Sequence, residues 1–211
     1  NTILDVTNLT KKFDSFTAVD DISFSVNTGE ILGLLGPNGA GKTTTIQMLL
    51  STMTPTRGSI SFFGKSLFTH RSEILEKVSF ASTYVRLPGR LSIIENLDIY
   101  GQLYGVSKTD RAYRIEKFLK FFDIWDIRDR SSGVLSAGQI TRVMLVKAFI
   151  SHPAMVLLDE PTASLDPDIA LEVRKFIKEQ QQEYGVSILL TSHNMAEVTE
   201  VCDRVLVLQK G

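Results

Sequence analysis

The sequence predicts an α/β fold with a parallel β-sheet flanked by helices. Strand-like apolar runs alternate with helical stretches between residues 155 and 208. A glycine-rich loop joins the apolar run 31–35 to the helical stretch 44–50. Helical periodicity with few strand signals extends over residues 92–150. We therefore expect one domain, with a sheet core over residues 1–80 and 151–211 and an inserted α-helical subdomain over residues 81–150.

Short strand-like runs near the N-terminus predict an antiparallel β subdomain beside this core. They cover residues 3–6, 22–26 and 59–63. The strands expected in the parallel sheet are residues 31–35, 155–158, 186–190 and 205–208, and helical stretches at 169–181 and 195–201 separate the last three. Alternation of this kind is typical of parallel sheets, because each crossover needs a helix.

The glycine-rich loop has the pattern of a phosphate-binding loop. Its residues are Gly36, Pro37, Asn38, Gly39, Ala40, Gly41, Lys42 and Thr43, with Thr44 next in the helix. The glycines let backbone N–H groups point inward and cradle phosphates at a helix N-terminus. We expect these nine residues to bind a nucleoside triphosphate, with Lys42 neutralising the β- and γ-phosphates and Thr43 coordinating Mg²⁺.

A second site-forming segment is an apolar run that ends in two carboxylates. Residues 155–158 are all apolar, and Asp159 and Glu160 follow them. This pattern is typical of a buried strand whose carboxyl end places acidic side chains in a site. We expect Asp159 to hold the Mg²⁺ shell and Glu160 to orient and deprotonate an attacking water.

Composition excludes several classes of protein. The formal net charge is -1 and both signs are spread along the chain, so nucleic acid is not an expected partner. Cys202 is the only cysteine, which rules out an intramolecular disulfide and a cysteine-rich metal site and agrees with a reducing compartment. No apolar stretch approaches the roughly 20 residues of a membrane helix, and no signal-peptide pattern is present, so we expect a soluble chain.

Three further motifs have the form of helix starts. Residues 136–139 and 194–197 have capping-box spacing, and Asp166 precedes a proline at a first helical position. Taken singly, each is a cap. Taken in order, residues 135–139, Asp159-Glu160, residues 164–166 and His193 resemble the ATP-binding cassette (ABC) ATPase family over nearly the whole chain.

The resemblance implies a P-loop NTPase (RecA-like) core and a head-to-tail dimer. The family's signature loop usually reads Leu-Ser-Gly-Gly-Gln, and here Ala137 replaces one glycine. Ser136, Gly138 and Gln139 would meet the γ-phosphate of ATP held by the other subunit. Asp166 would communicate across the dimer, and His193 would act in catalysis by contacting the γ-phosphate.

The implied function is ATP hydrolysis coupled to transport, leaning toward export. The transmembrane permease would be a separate chain, and the domain would be cytoplasmic and peripheral on the inner face of the membrane. The dimer would form with itself or with a second ABC subunit. Two alternatives stay open: a soluble ATPase that remodels a macromolecular partner, and a low-turnover regulatory switch. The permease would dock on residues 82–91 and the helix that the capping box Ser92–Glu95 starts.

The resemblance also implies an aromatic residue that stacks on adenine, and two phenylalanines are candidates for it. Family members often carry an aromatic residue upstream of the phosphate loop that stacks on adenine. Phe13 is favoured for this role, because Lys12-Phe13-Asp14 looks like the family's local pattern, and Phe16 is the alternative.

The sequence departs from the family at two places. Thr83, or Ser82 with a slip of one residue, stands where the family has a glutamine that touches Mg²⁺. We expect Thr83 to reach the metal through a water, so that binding survives and turnover is weakened. Family domains also continue beyond the segment that matches residues 204–211, which predicts a C-terminal truncation.

Overall fold

The described part of the chain, residues 1–82, 87–163 and 165–209 of a computed structural model, forms two β-sheets with helices around them. The strands are β1 Thr2–Phe13, β2 Phe16–Asn27, β3 Ile31–Leu35, β4 Arg57–Phe62, β5 Lys65–Ser66, β6 Val78–Ser82, β7 Met155–Asp159, β8 Ser187–Ser192 and β9 Arg204–Val207. The helices are α1 Lys42–Leu49, α2 Arg71–Leu75, α3 Ile93–Leu103, α4 Lys108–Phe121, α5 Ala137–Phe149, α6 Pro167–Tyr184 and α7 Met195–Val201. Short 3₁₀ turns lie at Trp125–Ile127 and Ser132–Val134. This architecture confirms the predicted α/β fold.

The larger sheet is parallel, with the strand order β6-β7-β8-β3-β9. The strands β3, β6, β7 and β8 are buried almost throughout, which explains why they read as apolar runs, whereas the edge strand β9 is partly exposed. In β7, Val156 and Leu158 join one hydrophobic cluster while Met155 and Leu157 join the other. The carboxyl ends of β3, β7 and β8 meet at one edge of the sheet, where parallel folds commonly place ligands.

The smaller sheet is antiparallel, with the order β2-β1-β4-β5. Strands β1 and β2 are much longer than the runs predicted from alternating apolar residues. Bulges in the β1–β2 pairing interrupt the alternation of inward and outward side chains, but the backbone hydrogen bonding continues past them. Phe13 pairs with Phe16 at the tip of this hairpin.

The end of strand β6 indicates where the sheet core stops and the helical subdomain begins. Ala81 and Ser82 continue the parallel ladder by pairing with Leu158 and Asp159. We therefore propose that the helical subdomain begins after Ser82, rather than at residue 81. Within the described residues, no helix combines the length and apolar character needed to cross a bilayer.

Two of the three predicted capping boxes are confirmed. Ser92 with Glu95 starts α3, and Ser136 with Gln139 starts α5, each with both reciprocal hydrogen bonds. The third was wrong. Asn194 does cap α7 by accepting from the backbone N–H of Ala196, but Glu197 does not return the bond.

Candidate functional site

The phosphate-binding loop curls between β3 and α1 as its sequence predicts. Gly41 is the residue before α1 and has φ 92°, in the left-handed region. A Cβ at Gly41 would lie 2.4 Å from the carbonyl oxygen of Ala18, and one at Gly36 would lie 2.5 Å from that of Leu208. Backbone approaches this close exclude any larger residue at either glycine. The loop is therefore clamped by β2 on one side and by the end of β9 on the other.

Lys42 is buried at the centre of this loop. Its Nζ donates to the carbonyl oxygens of Gly36 at 2.7 Å and Pro37 at 3.1 Å. The same atom lies 3.2 Å from Oε1 of Glu160. Lys42 thus presents its charge between the loop and the acidic end of β7.

The carboxyl end of β7 carries an oxygen cluster. The hydroxyl of Thr43 lies 3.1 Å from Oδ2 of Asp159, and the hydroxyl of Thr191 donates to Oδ1 at 2.7 Å. Thr191 comes into place because it pairs with Asp159 across the parallel β7–β8 ladder. Hydroxyl and carboxylate oxygens suit Mg²⁺, which keeps several of its waters. Thr43 and Asp159 therefore fit a magnesium site, whereas Thr83 lies outside the described residues.

Glu160 adopts a strained backbone conformation, with φ 49°. Its N–H donates to the hydroxyl of Thr191 at 3.0 Å, which fixes the turn after β7. The carboxylate has Lys42 at Oε1 and Nδ1 of His193 3.2 Å from Oε2. The structure thus brings the three predicted catalytic residues Glu160, His193 and Lys42 into one row.

A cavity of about 440 Å³ opens beside Lys42 and Glu160, and His193 is not among its lining residues. Its lining residues are Phe16, Ala18, Asn38, Gly39, Gly41, Lys42, Thr43, Thr44 and Glu160. The volume is within the usual range for small-molecule sites. Phe16, the alternative aromatic, lines the cavity, whereas Phe13 is not among its lining residues and carries the ammonium of Lys11 at 5.0 Å from its ring centroid.

The signature residues lie elsewhere on the surface. Ser136 is exposed, Gly138 and Gln139 are half-buried, and none of the three is among the residues that line the cavity. Asp166 is also exposed, and its side chain makes no capping hydrogen bond to α6. The described residues of one chain therefore do not bring these four groups to the phosphate loop.

Comparison with known proteins decides the family. The model for the ABC transporter family matches residues 19–163. This chain belongs to the ABC transporter family. It is 35% identical to the bacitracin transport ATP-binding protein BcrA of Bacillus licheniformis, over 100% of this chain and 68% of that protein. It is 34% identical to the Nod factor export ATP-binding protein I of Burkholderia lata, over 99% of this chain and 68% of that protein.

The fold agrees with that membership. A solved ATP-binding subunit of an ABC transporter superposes with a TM-score of 0.91 at 30% identity, over 99% of this chain and 87% of that one. ATP-binding members of the family are ATPases. The chain is accordingly an ABC transporter ATP-binding subunit with the P-loop NTPase fold, an ATP-binding site and ATPase activity.

Sequence reasoning missed two residues of the site and misassigned a third. Thr191 was passed over because it ends an apolar strand, although a polar residue at the carboxyl end of a parallel strand is a usable signal. Thr162, whose hydroxyl donates to the carboxylate of Glu197 behind Glu160 and His193, lies in a turn without a motif of its own. Glu197 was assigned to the capping box of residues 194–197, and nothing in its local sequence shows that its side chain points into the protein.

Proposed function

We propose that this ABC domain hydrolyses ATP·Mg²⁺ within a head-to-tail dimer and thereby powers export through a separate transmembrane permease. The observation that carries the proposal is the row of Lys42, Glu160 and His193 beside the phosphate loop. A cation for phosphate, a base for water and a third group that orients the base are the parts that in-line phosphoryl transfer needs.

Each residue of the row has a separate task in this chemistry. Lys42 and the loop N–H groups neutralise and hold the phosphates of ATP. Glu160 accepts the proton of the attacking water, and His193 keeps the carboxylate aimed at it. Thr43 and Asp159 would hold Mg²⁺, which would neutralise phosphate charge during the transfer.

The dimer accounts for the groups that lie outside the cavity. The N-terminus of α5 presents the exposed residues Ser136 and Ala137 to solvent, while the N–H of Gln139 is held by the Ser136 hydroxyl. A helix N-terminus favours a phosphate by its dipole and its unpaired donors. We place this end of α5 against the γ-phosphate of ATP bound to the other subunit, with Asp166 at the same interface. The other subunit is a second copy or another ABC chain.

The adenine site follows from the cavity lining. Phe16 borders the cavity and is 59% exposed, so one face of its ring is available for stacking. We propose that Phe16, rather than Phe13, stacks on the adenine of ATP.

The permease would dock beside the segment that precedes the signature loop. A groove of about 390 Å³ lies there, lined by Leu87, Gly89, Ser132, Gly133, Leu135, Ala137 and Ile140. Its two rims are tied together, because Ser132 N–H donates to the Leu91 carbonyl at 2.9 Å and Asn96 Nδ2 donates to Ser132 Oγ at 2.8 Å. Because Ala137 and Ile140 of α5 line the groove, a partner seated there would contact the start of α5. Export is supported by the export ATP-binding proteins among the relatives, and such docking would hold the domain at the inner face of the membrane.

The solution mass of Glu160→Gln tests the proposal. The substitution removes the base but keeps the shape of the side chain, so ATP should bind and the closed dimer should accumulate. We expect light scattering to give a dimer with ATP·Mg²⁺ and a monomer with ADP·Mg²⁺. The matched control is the double variant with Ser136→Arg, which blocks the outer face of α5 and should stay monomeric while binding ATP. A Glu160→Gln protein that binds ATP and remains monomeric contradicts the homodimer, and unchanged hydrolysis contradicts the role of Glu160.

A further inference from the structure

A buried carboxylate lies behind the catalytic row. Glu197 is in the first turn of α7, a position where its sequence pattern predicts a solvent-facing cap, yet the side chain turns inward and is only 7% exposed. Asn194 caps the helix without it. Burial of a carboxylate is costly unless its oxygens are hydrogen-bonded, so its contacts identify what it holds.

The two carboxylate oxygens of Glu197 accept hydrogen bonds from two separate segments, the turn after β7 and the end of β8. Oε2 accepts a 2.6 Å hydrogen bond from the hydroxyl of Ser192, and Oε1 accepts a hydrogen bond from the hydroxyl of Thr162. Ser192 Oγ in turn accepts from the backbone N–H of Asn194 at 3.0 Å. In the described part of the chain Glu197 has no ion-pair partner, so these hydroxyls alone position it.

Both segments carry a catalytic residue. Thr162 follows Glu160 by two residues, and Ser192 immediately precedes His193. Across the gap, Nδ1 of His193 lies 3.2 Å from Oε2 of Glu160. Glu160, His193 and Glu197 also line one cavity of about 220 Å³, separate from the nucleotide cavity and sharing only Glu160 with it.

From this geometry we propose that Glu197 is a positioning residue that fixes the loop of Glu160 to the loop of His193. The inference rests on the proposed hydrolytic roles of those two residues. Glu197 does not touch the nucleotide cavity and acts through the pair. Without it, the side chains of Glu160 and His193 keep their direct contact, in which His193 is exposed, and the backbone keeps the bond from Glu160 N–H to Thr191, but Thr162 and Ser192 lose their shared partner. Small misplacements of a catalytic group cost much of the rate.

The test compares three variants by steady-state ATPase kinetics. Glu197→Ala removes both acceptors, and we expect kcat to fall at least about tenfold with KM for ATP changed less than about twofold. Glu197→Gln retains a carbonyl acceptor for one hydroxyl and an amide donor for the other, and should restore most of kcat. Glu200→Gln is the control, since Glu200 lies on the same helix, is exposed and pairs with Arg174 at 2.8 Å.

A second measurement follows His193 directly. The chain has only three histidines, His70, His152 and His193, so the ring signal of His193 can be assigned by NMR with a His193→Gln variant. We expect Glu197→Ala to shift that signal and Glu200→Gln to leave it in place. This readout needs no turnover, so an inactive wild-type protein would refute the proposed function while the positioning role is still tested.

The outcomes separate positioning from plain stabilisation. If Glu197→Ala lowers kcat, spares KM and moves the His193 signal, the proposal stands. An unmoved His193 signal, or a kcat equal to that of wild type, overturns it, as does failure of Glu197→Gln to restore activity in a folded protein. If Glu197→Ala does not fold, Thr162→Val and Ser192→Ala remove one hydroxyl each and carry the same two measurements.

Discussion

Nζ of Lys42 lies 3.2 Å from Oε1 of Glu160, so the cation expected to meet phosphate is paired with the carboxylate expected to activate water. Both side chains are largely buried, at 5% and 11% exposure. Any phosphate that enters the loop competes with Glu160 and with two loop carbonyls for the same ammonium group. We therefore expect ATP binding to change the position of Glu160, the proposed catalytic base.

Lys42→Ala should abolish hydrolysis and weaken ATP binding about 10- to 100-fold, because a charge-assisted contact to phosphate is lost. Isothermal titration calorimetry with ATP·Mg²⁺ measures the affinity. Lys175→Ala is the control, since that lysine is exposed and makes a loose helical pair with Glu179 and a 6.0 Å approach to the Phe121 ring, far from the phosphate loop in sequence and outside the cavity lining. Equal ATP affinity in wild type and Lys42→Ala would show that the loop does not bind the phosphates.

Phe16→Ala should weaken ATP binding by a factor of about 5 to 150, the equivalent of roughly 1–3 kcal/mol of base stacking. Phe13→Ala is the matched control on the neighbouring strand and should change the affinity little. Binding of inorganic tripolyphosphate should be the same in all three proteins, because it has no base. If Phe13→Ala lowers the ATP affinity more than Phe16→Ala does, then Phe13, the residue favoured by sequence, stacks on adenine.

Thr191→Val should destabilise the domain by about 1–3 kcal/mol, because it removes the short bond to Oδ1 of Asp159 and leaves the N–H of Glu160 without its hydroxyl partner. Valine keeps the shape, so the change isolates the hydroxyl. Urea unfolding measures the loss, and the Mg²⁺ concentration needed for half-maximal ATPase activity should rise.

Thr199→Val is the control for that experiment, because its exposed hydroxyl bonds only to carbonyls of α7. If both valine variants unfold at the same urea concentration as wild type, the buried hydroxyl of Thr191 contributes nothing to the stability of the site.

His152 should make the domain less stable in mild acid. Burial, with help from the charges of Arg114 and Lys117, lowers the pKa of its ring from 6.5 to about 4. Below about pH 6.5 the unfolded chain takes up a proton here and the folded chain does not, so the free energy of unfolding falls as pH drops toward 4. The loss should be roughly 1–2 kcal/mol after allowance for solvent screening of this half-buried ring.

His152→Asn should remove that component, and asparagine suits the left-handed φ of 47° at this position. Urea unfolding at neutral pH and in mild acid measures the pH slope for both proteins. The variant should lose stability overall, because the ring packs against Tyr184 and Phe118, but its slope between the two pH values should be shallower. Identical slopes would mean that His152 titrates normally in the folded state.

The sequence by itself determined the features that depend on neighbouring residues. Phosphate-loop glycines, the helix starts at Ser92 and Ser136, and the strand that delivers Asp159 and Glu160 could all be predicted, since each rests on a backbone conformation or a periodicity within a few residues. The order of residues 135–139, Asp159-Glu160, residues 164–166 and His193 was enough to predict the ABC family, and the alternation of strand-like and helical runs predicted the α/β fold.

Only the tertiary structure decided which side chains from separate elements share a site. Thr191 reaches Asp159 because β8 pairs with β7 in one register, and Phe16 rather than Phe13 lines the cavity, although the two residues face each other in the β1–β2 pairing. Glu197 satisfies the local rule for a cap, yet it is drawn inward by Thr162, 35 residues away in the chain. Contacts of this kind depend on strand order and loop packing, which no local pattern of residue types encodes.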